Sequence, residues 1–93
     1  MNPNKLNGKK VVGSDGHVVG EVEGMDVDLN TWQATGLLLV LTDDATVELG
    51  FKKPLLSKVT VSMPTRIIKA IGEVINLGEP LKNLKELVHR VES

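Results

Sequence analysis

The side chains in this sequence best spaced to do chemistry are Asp26, Asp28 and Asn30. They place three oxygen donors at alternate positions within GEVEGMDVDLNTWQATG, Gly20 to Gly36. A calcium loop begins in this way, with ligands at its first, third and fifth positions. Counted from Asp26, the sixth position should be a glycine and is Thr31, and the twelfth should be a bidentate glutamate and is Leu37. The flanks read as strands, whereas that loop needs helices. No metal is therefore expected here. The stretch reads as a strand with its acidic face in water, followed by an Asn-Thr turn.

The other candidates are no stronger. The glycines of GSDGHVVGEVEG do not give the G-x-G-x-x-G spacing of a phosphate loop, and no Gly-Lys-Ser/Thr follows them. His17 lies in the first hairpin and His89 in the final helix, and neither has a sequence-local acid or nucleophile arrangement, so both are read as surface residues. Ser57 and Ser62 are not singled out as nucleophiles. Asp43 and Asp44 would point to opposite faces of an extended chain, which argues against a shared-proton pair. The absence of cysteine removes disulfides, thiolate metal sites and a thiol nucleophile together. No catalytic, cofactor-binding or metal-binding residue is expected, and the protein is read as not an enzyme.

Bulk composition narrows the partners. The 93 residues fit one domain with one core, and 41% apolar with 25% charged residues is an ordinary globular balance. Eleven basic against 12 acidic residues leave a net charge of −1, so no bulk field draws nucleic acid or an anionic membrane. Trp32 and Phe51 are the only aromatic residues, too few for a base-stacking surface. The pairs Lys9-Lys10 and Lys52-Lys53 read as solvated strand edges. MNPNKLNGKK lacks the apolar segment of a signal peptide, and the longest apolar run, Leu37 to Leu41, is too short to cross a bilayer. A cytoplasmic protein with no membrane insertion is expected.

The pattern of turns and apolar positions predicts six short strands. KKVV and HVVGEV flank a turn at Ser14-Asp15-Gly16, where Asp-Gly between valine-rich flanks is a strong hairpin signal. The second strand changes phase: Val18, Gly20 and Val22 lie on one face, and Met25, Val27 and Leu29 continue the apolar side after a step of three. A bulge at Glu23-Gly24 would absorb the extra residue and bend the strand. ATGLLLVLT reads as a strand apolar on both faces, TDDATVELG as a turn and a short strand, and KVTVSMP as an alternating strand. TRIIKAIG reads as a helical turn closed by Gly72, and EVINLG as the last strand. From Pro80 onward, Leu81, Leu84, Leu87, Val88 and Val91 recur at helical spacing. The expected fold is all-β: a small six-stranded barrel over residues 6–78 and a C-terminal amphipathic helix over 79–93, in a single domain spanning 1–93.

These residues resemble a known family. GKKVVGSDGHVVGEVEGMDVDLNTWQATGLLLVL is similar to the PRC-barrel domain in its stand-alone archaeal form, through Gly8, Val11-Val12, Asp15-Gly16, Val19-Gly20, Val22, Asp26 to Asp28 and the apolar run ending at Leu41. VTVSMPTRIIKAIGEVINLG resembles the second half of that domain. The family includes the cytoplasmic domain of the photosynthetic reaction-centre H subunit and the C-terminal domain of the ribosomal RNA maturation factor RimM, where the barrel is an interaction module. The stand-alone archaeal group fits the chain best. The resemblance implies a non-enzymatic protein-interaction adaptor in archaeal cell division, binding the SepF membrane anchor of the FtsZ ring. The alternative it implies is an RNA-associated or ribosome-assembly factor similar to the RimM barrel. The family's pattern brings no binding residue with it; Asp15, Gly16, Gly20 and Gly24 read as turn and bulge positions.

One surface remains to be covered. Five consecutive apolar residues, 37–41, put apolar side chains on both faces of one strand, and a barrel wall hides only one of them. Either the C-terminal helix lies across the outer wall or a second subunit does. The expectation is a homodimer, with Leu37, Leu39, Leu41, Leu84, Leu87, Val88 and Val91 as candidate interface residues.

Overall fold

The computed structural model describes residues 6–52 and 57–91. The early part of the sequence forms a long hairpin and a short strand beside it. β1 (Lys10–Val12) pairs antiparallel with β2 (Val18–Asp28), and β2 pairs antiparallel with β3 (Gln33–Leu41). The turn between β1 and β2 is tied by Gly13 N–H to the His17 carbonyl (2.8 Å) and by Gly16 N–H to the Gly13 carbonyl (3.0 Å).

A short helix, α1 (Asp43–Glu48), follows β3 where a turn and a strand were expected. The Thr42 side-chain oxygen caps it by accepting from Ala45 N–H at 3.0 Å, and Asp43 and Asp44 occupy the first turn, where the helix dipole favours negative charge. The β-branched pair Thr46-Val47 pointed toward a strand. Burial of Ala45, Thr46 and Leu49 at helical spacing overrides that preference, and the Thr46 hydroxyl is satisfied by the Thr42 carbonyl at 2.8 Å.

β4 (Thr60–Pro64) pairs antiparallel with β3. A 3-10 turn at Thr65–Ile67 leads into β5 (Ile68–Ile71), which pairs antiparallel with β6 (Ile75–Leu77). The helical turn expected through Gly72 is thus confined to three residues, and the rest is strand. β6 returns to pair parallel with β1. With β7 (His89–Arg90), the seven strands of the described residues form one open sheet in the order β5-β6-β1-β2-β3-β4-β7. The architecture is all-β, but it is an open seven-stranded sheet and not a closed barrel of six strands.

The C-terminal segment is the largest departure. In place of an amphipathic α-helix, a 3-10 segment at Leu81–Glu86 is followed by β7 (His89–Arg90), which pairs with β4. Leu81, Leu84 and Leu87 are three residues apart, a repeat that a 3-10 helix stacks on one face. Leu81 and Leu84 are buried, and the free edge of β4 then takes the chain, with Val91 N–H donating to the Thr60 carbonyl at 2.9 Å. An edge that would expose unpaired backbone groups is closed in this way. Residues 92–93 of the expected helix lie outside the described residues.

The core gathers Val11, Val19, Val22, Leu37, Leu39, Leu41, Val61, Met63, Ile75 and Leu77 from the sheet, and Leu49, Leu84 and Val88 from the segments that pack on it. Two register shifts bend the long hairpin. On β2, Val22 pairs with Leu39 and Gly24 with Leu38, so Glu23 is the extra residue. On β3, Gly36 pairs with Asp26 and Ala34 with Val27, so Thr35 is the extra residue there. The first shift lies at the change of apolar phase in the sequence. Val27 and Leu29 lie farther along the hairpin, where it runs past the core, and are exposed; only Met25 of that expected trio packs against the core.

Gly20 is fixed by close approach: a Cβ there would overlap the carbonyl oxygen of Val40, a backbone atom that has nowhere to go. At Gly24 the added carbon would meet only the Leu38 Cδ1 at 3.4 Å, an ordinary contact. Gly20→Ala should therefore cost about 3 kcal/mol, whereas Gly24→Ala changes stability by less than about 1 kcal/mol, as read by urea denaturation. In the same assay Leu84→Ala should cost about 3 kcal/mol, the cost of a core cavity. A surface-helix residue would cost far less.

Candidate functional site

Three residues of the β1–β2 turn make the most organised polar site. Asp15 and His17 stand two apart on a turn that reverses direction at Gly16, so their side chains meet: His17 Nδ1 lies 2.8 Å from Asp15 Oδ2. Asp15 Oδ1 also accepts from His17 N–H at 3.3 Å and from Leu81 N–H at 3.4 Å. Ser14 N–H donates to the Glu79 carbonyl at 2.9 Å. The turn is thereby fastened to the start of the 3-10 segment. His17 does have a sequence-local acid after all, which corrects the reading from sequence. The two-residue spacing hid the pair because it brings side chains together only when a turn intervenes.

The hydrogen bond that His17 donates to Asp15 holds the imidazole pKa above its ordinary 6.5, and the carboxylates of Glu48 and Asp44 on α1 act in the same direction. The same bond to His17 holds the Asp15 carboxyl below its ordinary 3.8. Beside His17 opens a cleft of about 500 Å³, lined by Val18, Thr42, Asp44, Val47, Glu48 and Leu81. A histidine backed by an aspartate is half of an acid–base pair. The hydroxyl in this cleft belongs to Thr42, which caps α1 and donates to the Val18 carbonyl at 3.3 Å, so it is committed to structure. What the cleft offers is carboxylates beside exposed valines, which suits binding.

The calcium-like trio is also occupied. Asp28 Oδ1 accepts from Asn30 N–H at 2.8 Å, an Asx turn. Asp26 Oδ2 accepts from the Ser62 hydroxyl at 2.7 Å, so this carboxylate is half-buried and does not simply face water. The bond reaches from β2 to β4 across β3, directly above Gly36, where a Cβ would crowd both Ser62 Oγ (3.1 Å) and Asp26 Oδ2 (3.3 Å). Among the described residues, no group of three or more histidines and carboxylates is placed to hold a metal ion.

Of the seven candidate interface residues, Leu37, Leu39, Leu41, Leu84 and Val88 are buried in the chain's own core. They are corrected from interface to core. The inward row of β3 faces the sheet's interior, and the C-terminal segment supplies the internal cover. Leu87 is half-buried against the core, and Val91 is exposed at the end of β7. The outward residues of β3, Leu38 and Val40, are half-buried. Polar bridges from β2 to β4 run past them, Asp26 to Ser62 and the weaker Glu23 to Thr60 at 3.4 Å. His89 is exposed on β7 and Ser57 is exposed, while Lys53 of the second lysine pair lies outside the described residues. Lys9 is engaged, donating from Nζ to the Gly72 carbonyl at 2.5 Å.

Sequence reasoning passed over the hairpin tip. Trp32, the one tryptophan, is 77% exposed, and Leu29 across the four-residue loop is 72% exposed. Trp32 has a backbone φ of 59°, the left-handed region that a bulky residue seldom adopts, and its N–H donates to the Asp28 carbonyl at 2.6 Å. The available signal was a tryptophan set among Asn, Thr and Gln, where no core can form.

The chain matches no protein-family model and no curated protein.

The His17–Asp15 pair gives two linked pH effects. Because folding raises the histidine pKa, its contribution to stability is complete below 6.5 and fades as the pH climbs through the raised value. Because folding lowers the Asp15 pKa, that contribution holds above 3.8 and is lost as the pH falls through the lowered value. Thermal melts across pH should show wild type losing melting temperature on the alkaline side of 6.5, and His17→Gln should remove that decline.

Proposed function

We propose that this chain is a non-enzymatic interaction adaptor, built on a curled sheet of the PRC-barrel kind and acting in the cytoplasm. It engages its protein partner through the tip of the β2–β3 hairpin. The observation that carries this reading is Trp32, 77% exposed and held at positive φ. An aromatic side chain in water forgoes the burial that stabilises the rest of the fold, and left-handed backbone costs a bulky residue about 1–2 kcal/mol. Both costs fall on one residue at the far end of the longest hairpin, where contact with a partner would offset them. Tryptophan is also the side chain most often dominant in protein interfaces, and Leu29 and Val27 give it exposed apolar neighbours.

The resemblance to stand-alone archaeal PRC-barrel proteins supplies the partner: the SepF membrane anchor of the FtsZ ring, in cell division. An exposed tryptophan also suits stacking on an unpaired base, which would favour the RNA-associated role. Asp26 and Asp28 on the same hairpin oppose it, because they repel phosphate.

Calorimetry with purified SepF tests the proposal. Trp32→Asn should weaken binding at least about tenfold, as expected of a central aromatic anchor. The same substitution should hold folding stability or raise it by up to about 1 kcal/mol, because asparagine accepts the left-handed backbone. Equal binding by wild type and Trp32→Asn would remove the tip from the interface. Binding of ribosomal RNA without binding of SepF would establish the other role.

A further inference from the structure

A second surface lies at the opposite end of β3 from Trp32, roughly 25 Å away by strand rise. α1 and the 3-10 segment Leu81–Glu86 pack side by side there; the charged residues of α1 are all carboxylates, while the 3-10 segment carries two lysines and Glu86. On α1, Asp44 and Glu48 are four residues apart and share an exposed face, with Val47 beside them 68% exposed and Val18 near it 41% exposed. On the 3-10 segment, Lys82 and Lys85 are three apart, which stacks them on one face. They line a cleft of about 420 Å³ with Asn83, Glu86 and the half-buried Leu87. The Lys85 ammonium lies 3.5 Å from where a Cβ on Gly50 would be, so the basic face begins just past the end of α1.

The ion pairs among the described residues are His17–Asp15 and Lys58–Asp43. Asp44, Glu48, Lys82 and Lys85 are in neither of them. An acidic cleft and a cleft in which two lysines outweigh Glu86 thus lie next to each other around two packed elements, with exposed valines on the acidic side and a half-buried leucine on the lysine side. A two-fold axis between them lays the acidic half of one copy on the basic half of another, and the reverse, so both contacts form at once.

We propose that this surface is a symmetric homodimer interface, in which Asp44 and Glu48 of one chain meet Lys82 and Lys85 of a second copy while Val18, Val47 and Leu87 are buried between them. Charge complementarity within a single patch points to a second copy of the chain as the occupant. Exposed ion pairs contribute little each, so the valines and Leu87 supply affinity while the charges set register. The dimer is accordingly weaker at high salt. The inference is independent of the hairpin tip, which stays free in such a dimer.

Sedimentation velocity of the full chain tests it with two charge-reversed variants, D44K/E48K and K82E/K85E. Wild type should sediment as a dimer at high micromolar concentration. Each variant alone sets like charges together and should weaken association at least about tenfold, since several pairs reverse at once. An equimolar mixture should recover the dimer, because every contact in the mixed pair is again between opposite charges. Circular dichroism melts check folding, and Glu48→Lys with Lys82→Glu replaces the double variants if those unfold. A monomeric wild type overturns the proposal, as does association that neither variant weakens. A mixture that forms open polymers overturns the two-fold arrangement. A monomer that binds a lysine-rich peptide at Asp44 and Glu48 assigns the face to a foreign partner and also overturns it.

Discussion

Five consecutive apolar residues on β3 must each be kept from water, and a strand can turn only alternate ones inward. Leu37, Leu39 and Leu41 go to the core and are almost fully buried. Leu38 and Val40 are left on the other face of the sheet. Among the described residues, that face has no layer of its own. Instead, side chains from the two flanking strands reach over β3, most closely where Ser62 donates to Asp26 across Gly36. Gly36 is bare because that bond occupies the space its side chain would fill. The shift at Glu23 sets Gly24 beside Leu38, and the leucine side chain lies over it. One strand's double burden thus fixes the bulge, two glycines and the Asp26 carboxylate.

The same strand separates two surfaces of different character. At its start, the loop to β2 runs beyond the core and leaves Leu29 and Trp32 in solvent. At its end, Thr42 caps α1 immediately after Leu41, and the chain stays close, held to β2 by Thr42 N–H donating to the Val19 carbonyl at 3.0 Å. The first surface is apolar on a backbone under strain, and the second is charged on regular helical backbone. The His17–Asp15 pair belongs to the second end, since it joins the β1–β2 turn to the Leu81 backbone and faces α1.

Much of the sheet could be read directly from the residues. Asp15-Gly16 between valines marked the first turn, and the step of three from Val22 to Met25 marked the register shift, because strand alternation is strict. Elements whose local signals conflict were harder. Thr42-Asp43-Asp44 is a sound helix start, yet Thr46-Val47 speaks for a strand, and only the burial of Ala45 and Leu49 decides. Leu84, Leu87, Val88 and Val91 fit a 3.6-residue period well enough to conceal the three-residue one. What ended that helix was an open edge on β4, a tertiary fact with no local trace. The site was less legible still. Pairing of Asp15 with His17 depends on turn geometry, and the exposure of Trp32 depends on how far the hairpin outruns the core. The covered state of Leu37, Leu39 and Leu41 rests on which face of β3 the rest of the chain encloses.

β1 joins the two ends of the sequence, being antiparallel to β2 and parallel to β6 through Val11–Ile75 and Val12–Asn76. Joining such distant segments carries a large loop-closure entropy, which must be met before the contact returns any stabilisation. The β2–β3 hairpin and the β3–β4 pair are local and can form early, on the microsecond scale of hairpins. During synthesis, Val11 therefore waits for Ile75 to leave the ribosome before its second ladder exists. In that interval one edge of β1 is unpaired, and the lysines at positions 9 and 10 carry the charge that discourages another chain from adding to it.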